Sequence, residues 1–238
     1  DNVIGVKSFT YFPHNEDPYK SLYSKILLFD RKHGEPLALV DGTSVTFFRT
    51  AGVSALASQF LSRENSEIFL LLGTGNLARF LIRAHASVRS LKKILIWGRT
   101  KANAQDVVAD MQKELPEIEF VLAENIQTAC DQADIVVAAT GSPDILVQGD
   151  WIKEGTHTDF LGNHHADKRE CDTGLVVKSK VYLDTYVNCF NEAGEVLLPI
   201  EEGVLKKEDI KGELAELCKA EVKGRENDSE ITLFKSVG

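Results

Sequence analysis

Cysteine is scarce in this sequence, and its few copies follow no pattern. Cys130, Cys171, Cys189 and Cys218 form no CxxC pair and have no regular spacing. Disulfide frameworks and zinc sites both need such spacing, so we expect no metal site. We expect the cysteines to be free thiols in a reducing, cytoplasmic compartment. The chain begins at Asp1 without a methionine, and we expect it to be part of a longer protein.

Excess positive charge and long apolar runs are also absent. Lys and Arg number 27 against 36 Asp and Glu, which gives a formal net charge of -9. Surfaces that bind nucleic acids or anionic membranes need clustered cations. Crossing a bilayer needs about 20 consecutive apolar residues, which the chain lacks. We therefore expect neither a nucleic-acid partner nor a membrane span.

The first part of the chain has the pattern of an antiparallel sheet. Apolar and polar residues alternate at 3–12, apolar residues cluster at 23–29, and a third strand is predicted at 36–40 after a turn; helical spacing follows at 46–63. We therefore predict a smaller, mostly antiparallel α+β domain over residues 1–62.

Strands alternate with helices in the middle of the chain. Such alternation predicts an α/β fold whose parallel sheet is covered by helices on both faces. We place this domain at residues 63–202, followed by a C-terminal segment, 203–238, that returns toward the first domain and is helical at 205–223. The predicted strands are 68–72, 94–97, 119–122, 134–139, 156–161 and 181–184, and the predicted helices are 77–88 and 102–115.

A glycine-rich turn directly follows the strand predicted at 68–72. Its sequence, GTGNLA, matches the dinucleotide-binding pattern G-x-G-x-x-A and leads into a helix. Gly73 permits the tight turn, Gly75 lets the backbone approach a pyrophosphate, and Ala78 allows close helix–strand packing. The turn predicts a Rossmann-type nicotinamide-dinucleotide site, with a glycine turn of another α/β fold as the alternative. The expected contact residues are Gly73, Thr74, Gly75, Asn76 and Leu77.

The residues after the second strand of this domain favour NADP(H). NAD-specific domains usually place an acidic residue there for the ribose hydroxyls, whereas this chain has Gly98, Arg99, Thr100 and Lys101. A guanidinium suits a 2′-phosphate. NADP(H) is therefore the expected cofactor, and NAD(H) is the alternative if both cations are merely solvated.

The residues after the fourth strand, Ala139, Thr140 and Gly141, are expected beside the nicotinamide. Ligands of open α/β sheets bind at the carboxyl ends of the strands, which places this turn near the cofactor. A plain strand-ending turn is the alternative for each residue taken alone.

Polar residues follow the strand predicted at 156–161. His164 is a candidate proton donor because histidine titrates near neutrality. His165 points in a different direction, so the pair does not predict a metal site. Glu170 and Asp172 are interpreted as caps of the helix that follows.

Two cations lie in otherwise apolar segments. Arg49 stands between apolar residues of the predicted first helix, where it could bind a carboxylate through two hydrogen bonds. Lys7 lies within the first predicted strand. A structural salt bridge for Arg49 and an outward-facing strand position for Lys7 are the alternatives.

These features together resemble the ornithine cyclodeaminase/mu-crystallin family. The similarity extends over essentially the whole chain, and the motifs occur in the right order. They are PLALVDG at 36–42, Thr46, RTA at 49–51, SALA at 54–57, LLGTG at 71–75, WGRT at 97–100, GTH at 155–157, RE at 169–170 and FKSVG at 234–238.

The resemblance implies a Rossmann domain paired with an antiparallel domain that forms a homodimer. Family members include ornithine and lysine cyclodeaminases, ketimine reductases, an archaeal-type alanine dehydrogenase and NADPH-binding crystallin relatives. By this resemblance Arg49 and Lys7 hold the substrate carboxylate, Lys7 also lies near the reacting carbon, and Arg99 and Thr100 match the NADPH-type sequence.

The chain departs from the family pattern in several places. Leu77 replaces a usual glutamine, which removes a polar contact near the cofactor. His164 takes the place of the catalytic aspartate of the cyclodeaminases, so cyclodeamination loses its expected base. The family also begins earlier, with another carboxylate-binding arginine, and ends with a further helix. We expect this N-terminal part and last helix to be missing here.

The resemblance and these departures together imply an NAD(P)H-dependent reductase of an imino acid. The substrate would be a cyclic ketimine such as pyrroline- or piperideine-2-carboxylate, and hydride would pass to its C=N bond, with Lys7 and His164 as catalytic residues. One alternative is an ornithine or lysine cyclodeaminase that uses bound NAD+. The other is a non-catalytic NADPH-binding protein similar to mu-crystallin.

Overall fold

The computed structural model describes residues 2–12, 14–16 and 18–237, so Asp1 and Gly238 lie outside the described residues. The chain divides into two compact units, Asp1–Thr50 and Ala51–Gly238. The division of the chain at 62 and 202, made from the sequence, stays a prediction.

The first unit is built on a three-stranded antiparallel sheet with the order β1-β2-β3. Helix α1 follows and begins four residues before its predicted start. The cause is Asp41, whose carboxylate accepts hydrogen bonds from the backbone N–H of Ser44 (3.2 Å) and from its hydroxyl (2.6 Å), and so caps the helix. The elements are β1 (Val3–Tyr11), β2 (Leu22–Asp30), β3 (Pro36–Asp41) and α1 (Gly42–Leu61), of which residues 51–61 belong to the second unit.

The second unit contains an eight-stranded parallel sheet. Its strand order is β10-β9-β11-β8-β7-β4-β5-β6, which reverses direction beside β4, as in Rossmann folds. Within the described residues, no helix has the length and apolar character needed to cross a membrane. The strands are β4 (Ile68–Leu72), β5 (Lys93–Trp97), β6 (Glu119–Leu122), β7 (Ile135–Ala138), β8 (His157–Phe160), β9 (Lys180–Leu183), β10 (Gly212–Glu213) and β11 (Thr232–Lys235). The helices are α2 (Ala78–Val88), α3 (Lys101–Glu114), α4 (Ile126–Gln132), α5 (Thr173–Lys178), α6 (Tyr186–Glu192), α7 (Gly194–Glu201) and α8 (Leu214–Cys218).

The central strand β4 is buried on both faces of the sheet. Leu70 and Leu72 belong to one apolar cluster, whereas Phe69 and Leu71 belong to the cluster on the other side. Because side chains alternate along a strand, such a strand must be apolar at every position. This requirement explains the continuous apolar run that marks β4 in the sequence.

The predicted helix at 205–223 is wrong for most of its length. Only Leu214–Cys218 is α-helical, and Gly212–Glu213 joins the edge of the large sheet. The last strand, β11, was not predicted and lies between β8 and β9. Phe234 of β11 is buried with Leu61, Tyr182 and Leu217, so tertiary packing overrides the local helical pattern.

A buried polar cluster joins helices α1 and α2 to strand β8. The hydroxyl oxygen of Ser54 lies 2.5 Å from Asp159 Oδ2 and 2.9 Å from His85 Nε2, and all three residues are fully buried. Burial raises the pKa of Asp159 to about 7 and lowers the pKa of His85 to about 3. The cluster fixes α2, the helix that follows the glycine turn, against the sheet.

The raised pKa of Asp159 predicts a pH-dependent contribution to stability. Between about pH 4 and pH 7, Asp159 is ionised in the unfolded chain and protonated in the folded one, so rising pH lowers the free energy of unfolding. Asp159→Asn removes this loss. The free energy of unfolding of the variant, minus that of the wild type, should therefore increase by up to about 4 kcal/mol as the pH rises across that window. Urea unfolding at both ends of the window checks this, and a difference that is constant with pH would contradict it.

Candidate functional site

A cavity of about 510 Å³ opens at the carboxyl ends of β4, β5 and β7. This is the edge at which the strand order reverses, where open α/β sheets bind their ligands. The cavity brings together most of the residues predicted to contact a cofactor. Its lining consists of Gly73, Thr74, Gly75, Trp97, Gly98, Arg99, Thr100, Asn103, Ala139, Thr140, Gly141, Ser142, Asp144 and Leu146.

The turn after β4 is fixed by both neighbouring strands. The backbone N–H of Gly73 donates to the carbonyl of Trp97 at the end of β5 (2.9 Å). Gly73 has a φ of 119°, and a Cβ at this position would lie 2.5 Å from the carbonyl oxygen of Ala139 after β7. Both the positive φ and the close approach require glycine.

The cavity has the bare backbone that a dinucleotide needs. Gly75 and Gly141 line opposite sides of the strand-order reversal, and a Cβ built on either would meet no atom within 4 Å. A side chain at either position would therefore occupy space that a bound cofactor could use. Asn76 and Leu77, which were predicted as contacts, are not among the lining residues.

Arg99 and Lys101 have different surroundings. Arg99 is exposed, lines the cavity and forms no ion pair within residues 2–12, 14–16 and 18–237. Lys101 instead pairs with Glu124 at 2.6 Å. Of the two cations after β5, Arg99 is thus the one available to an anionic ligand in the cavity.

Glu170 does not cap a helix, contrary to its interpretation from the sequence. Its carboxylate accepts hydrogen bonds from the backbone N–H of Thr140 (2.9 Å), the Thr140 hydroxyl (2.7 Å) and the backbone N–H of Gly162 (2.7 Å). Asp172 does cap helix α5, since it accepts from the backbone N–H of Leu175 at 2.9 Å. Glu170 therefore joins the loops that follow β7 and β8.

His164 lies in the loop after β8. Its ring stacks on that of His165 with centroids 4.6 Å apart, so the expectation that the two histidines point in different directions is wrong. Partial burial and the adjacent His165 lower the pKa of His164. Its neutral form is therefore favoured near neutral pH, in which the ring can relay a proton.

A cluster of two cations and a hydroxyl lies in the first unit. Lys7 Nζ on β1 donates to the hydroxyl of Thr46 at 2.6 Å, and Thr46 and Arg49 are three residues apart on α1. Burial and the adjacent Arg49 lower the pKa of Lys7. In the part of the chain that the structure describes, neither cation forms an ion pair, so the cluster has unbalanced positive charge.

Several residues at or near the cavity were not predicted from the sequence. Asn103, Asp144 and Leu146 line the cavity, and Glu195 and Lys235 are buried near Glu170. Lys235 had one available signal, since this lysine directly follows the apolar residues Leu233 and Phe234. A buried lysine needs a buried partner, but the sequence does not reveal which one.

A family model described as the ornithine cyclodeaminase/mu-crystallin family matches residues 1–238. The Delta(1)-pyrroline-2-carboxylate reductase of Colwellia psychrerythraea is 48% identical over 240 residues, which cover 100% of this chain and 76% of that protein.

Solved structures give the same result. The Thermococcus litoralis Delta(1)-pyrroline-2-carboxylate reductase, in complex with NADH and L-proline, has a TM-score of 0.94 and 39% identity, covering 98% of this chain and 72% of that one. An archaeal alanine dehydrogenase dimer with bound NAD has a TM-score of 0.91 and 27% identity, covering 100% of this chain and 73% of that one. The chain therefore belongs to the ornithine cyclodeaminase/mu-crystallin family.

Proposed function

We propose that this chain is an NAD(P)H-dependent reductase of imino acids that acts on a C=N bond next to a carboxylate. The observation that carries the proposal is the presence of two complementary sites in one chain. One is a glycine-lined cavity that suits a dinucleotide, and the other is a pair of cations without carboxylate partners among the described residues.

Delta(1)-pyrroline-2-carboxylate is the substrate we favour. The reductase of C. psychrerythraea carries this compound in its name, and the T. litoralis reductase was solved with NADH and L-proline, the corresponding amino acid. Such a substrate has one carboxylate, which suits a site with two adjacent cations and a hydroxyl.

The cation cluster would bind and orient the substrate carboxylate. Arg49 can donate two parallel hydrogen bonds to it, and Lys7 adds a second charge. Thr46 accepts a hydrogen bond from Lys7 and so limits the positions of the ammonium group. Holding the reacting groups in the right geometry lowers the activation free energy by several kcal/mol, and by on the order of 7–11 kcal/mol at best.

The reduction needs a hydride at the imine carbon and a proton at the imine nitrogen. When bound, the reduced nicotinamide supplies the hydride. The proton must come from the protein or water, and the lowered pKa of Lys7 makes its ammonium group a readier donor. His164 would donate a proton or relay one from solvent, and a His164→Ala variant with full reductase activity would remove this role.

The cavity residues would hold the cofactor. Gly73, Thr74 and Gly75 would contact the pyrophosphate, Arg99 and Thr100 the adenosine ribose, and the turn of Ala139, Thr140 and Gly141 the nicotinamide end. We propose NADP(H) as the preferred cofactor because Arg99 is free of ion pairs in the described part of the chain and no acidic residue follows β5 directly.

We also propose a homodimer. Val6, Leu27 and Leu39 lie opposite one another on β1, β2 and β3, so their side chains share one face of the sheet, and they are 51%, 44% and 64% exposed. Contiguous exposed apolar surface of this kind usually marks an interface. The similar archaeal alanine dehydrogenase is a dimer, which supports the same assembly here.

Removal of the Arg49 guanidinium should weaken substrate binding selectively. The wild type should oxidise NADPH when Delta(1)-pyrroline-2-carboxylate is added. Arg49→Met should raise KM for the imino acid about 10- to 100-fold, which corresponds to the loss of one charge-assisted hydrogen bond. The steady-state rate at which the nicotinamide absorbance is lost measures KM for the imino acid. Arg83→Met, which removes an exposed ion pair with Glu114, is the matched control and should leave KM unchanged. Ammonia release from ornithine without added NADPH, and no imine reduction, would contradict the reductase proposal.

Arg99→Ala should change the cofactor preference. Loss of the guanidinium removes a partner of the 2′-phosphate, so kcat/KM for NADPH should fall about 10- to 100-fold while kcat/KM for NADH stays the same. Lys101→Ala is the control and should have a smaller effect, because Lys101 is paired with Glu124. A wild type that prefers NADH, or an equal loss with both cofactors, would rule out the assignment.

A further inference from the structure

The loops after β7 and β8 are joined by one carboxylate. Glu170 Oε1 accepts from the backbone N–H and the hydroxyl of Thr140, and Oε2 accepts from the backbone N–H of Gly162. The Asn163 side-chain amide adds a second link, since it donates to the carbonyl of Ser142 at 3.1 Å. The two loops thus keep a fixed position relative to each other.

Glu170 is in turn held by a buried ion pair. Its backbone N–H donates to Glu195 Oε1 at 3.0 Å, and Glu195 Oε2 lies 2.9 Å from Lys235 Nζ. Lys235 Nζ also donates to the carbonyl of Asn163 at 2.7 Å, in the loop after β8. All three charged side chains, Glu170, Glu195 and Lys235, are fully buried.

Stability alone is a poor explanation for this cluster. Burying charged groups is costly, and apolar replacements of a buried ion pair are often neutral or stabilising. The charges here contact mainly backbone atoms and side chains of the two loops at the carboxyl edge of the sheet. Thr140 and Ser142 line the cavity, and His164 directly follows Asn163. The cluster is thus connected to the cavity through these loops.

We propose that Glu170, Glu195 and Lys235 are positioning residues that hold the β7 and β8 loops at the nicotinamide end of the cofactor site. None of the three lines the cavity, so they act through Thr140 and Asn163 rather than on the cofactor directly. This inference rests on the proposed function. It predicts that the cluster sets the alignment for hydride transfer, and that the affinity for the cofactor depends on other residues.

Glu170→Gln tests the proposal with little change in shape. An amide has a single acceptor oxygen, so the glutamine side chain of this variant cannot accept from both Thr140 and Gly162. We expect kcat to fall about 10- to 100-fold, because a small misplacement of the reacting groups slows the reaction by this amount. The kinetic isotope effect with deuterated NADH should rise, because hydride transfer becomes the slow step. The Kd of NADH, measured by energy transfer from tryptophan (Trp97 lines the cavity), should stay unchanged.

Asp134→Asn is the matched control. Asp134 also accepts hydrogen bonds from backbone N–H groups, those of Glu67 and Ile68, and pairs with Arg63 at 2.6 Å. It lies where β4 and β7 begin, at the opposite edge of the sheet. This variant should lower Tm without changing kcat, the isotope effect or the fluorescence emission of bound NADH. If Glu170→Gln behaves in the same way, the cluster is only structural and the proposal fails.

A second variant covers the case in which Glu170→Gln does not fold. The double variant Glu195→Gln/Lys235→Met removes the ion pair as a unit and leaves no unpaired charge from it. It should lower kcat and shift the emission of bound NADH while Kd is unchanged. Unaltered kcat and emission, or a parallel loss of NADH affinity, would overturn the proposal. The emission shift needs no turnover, so a wild type inactive with every imino acid would refute the proposed function and still leave the positioning role testable.

Discussion

The cofactor cavity depends on the close approach of the turn after β4 to the end of β7. Gly73 adopts a positive φ, and its α-carbon faces the carbonyl of Ala139 so closely that a methyl group would collide with it. This contact brings the glycine turn and the Ala139–Gly141 turn to one edge of the sheet. The bare backbone at Gly75 and Gly141 then leaves room for a ligand between them. Without the approach at Gly73, these glycines would not share one cavity.

The charged groups of the protein fall into two kinds. Glu170, Glu195 and Lys235 are buried, and nearly every polar atom in the cluster has a partner, which is the condition for keeping charges in a core. Lys7 and Arg49 are exposed, adjacent and without a carboxylate partner in the described residues. The first arrangement keeps loops in place, whereas the second leaves positive charge for a ligand. Placement and electrostatics are the two contributions that a protein makes to cofactor-dependent hydride transfer.

The glycine turn, six of the eight strands of the parallel sheet and the position of Arg99 at the cavity could be predicted from the sequence. These features are local, since a turn needs glycine and a buried strand needs consecutive apolar residues. Glu170 was misread as a cap, because its partners Thr140 and Glu195 are 30 and 25 residues away. Lys235 binds Asn163 across 72 residues, and β11 is a strand only because β8 and β9 flank it. Long-range contacts of this kind leave no periodic signal in the sequence.

The transfer of deuterium from NADH labelled at the transferred position would test the central claim most directly. The protein would be incubated with labelled NADH or NADPH and Delta(1)-pyrroline-2-carboxylate, and the product examined by mass spectrometry. Hydride transfer to the imine predicts proline that carries one deuterium, located at the α-carbon. Unlabelled product, or cofactor binding without any proline formed, would contradict a reductase of imino acids and favour a cyclodeaminase or a cofactor-binding protein.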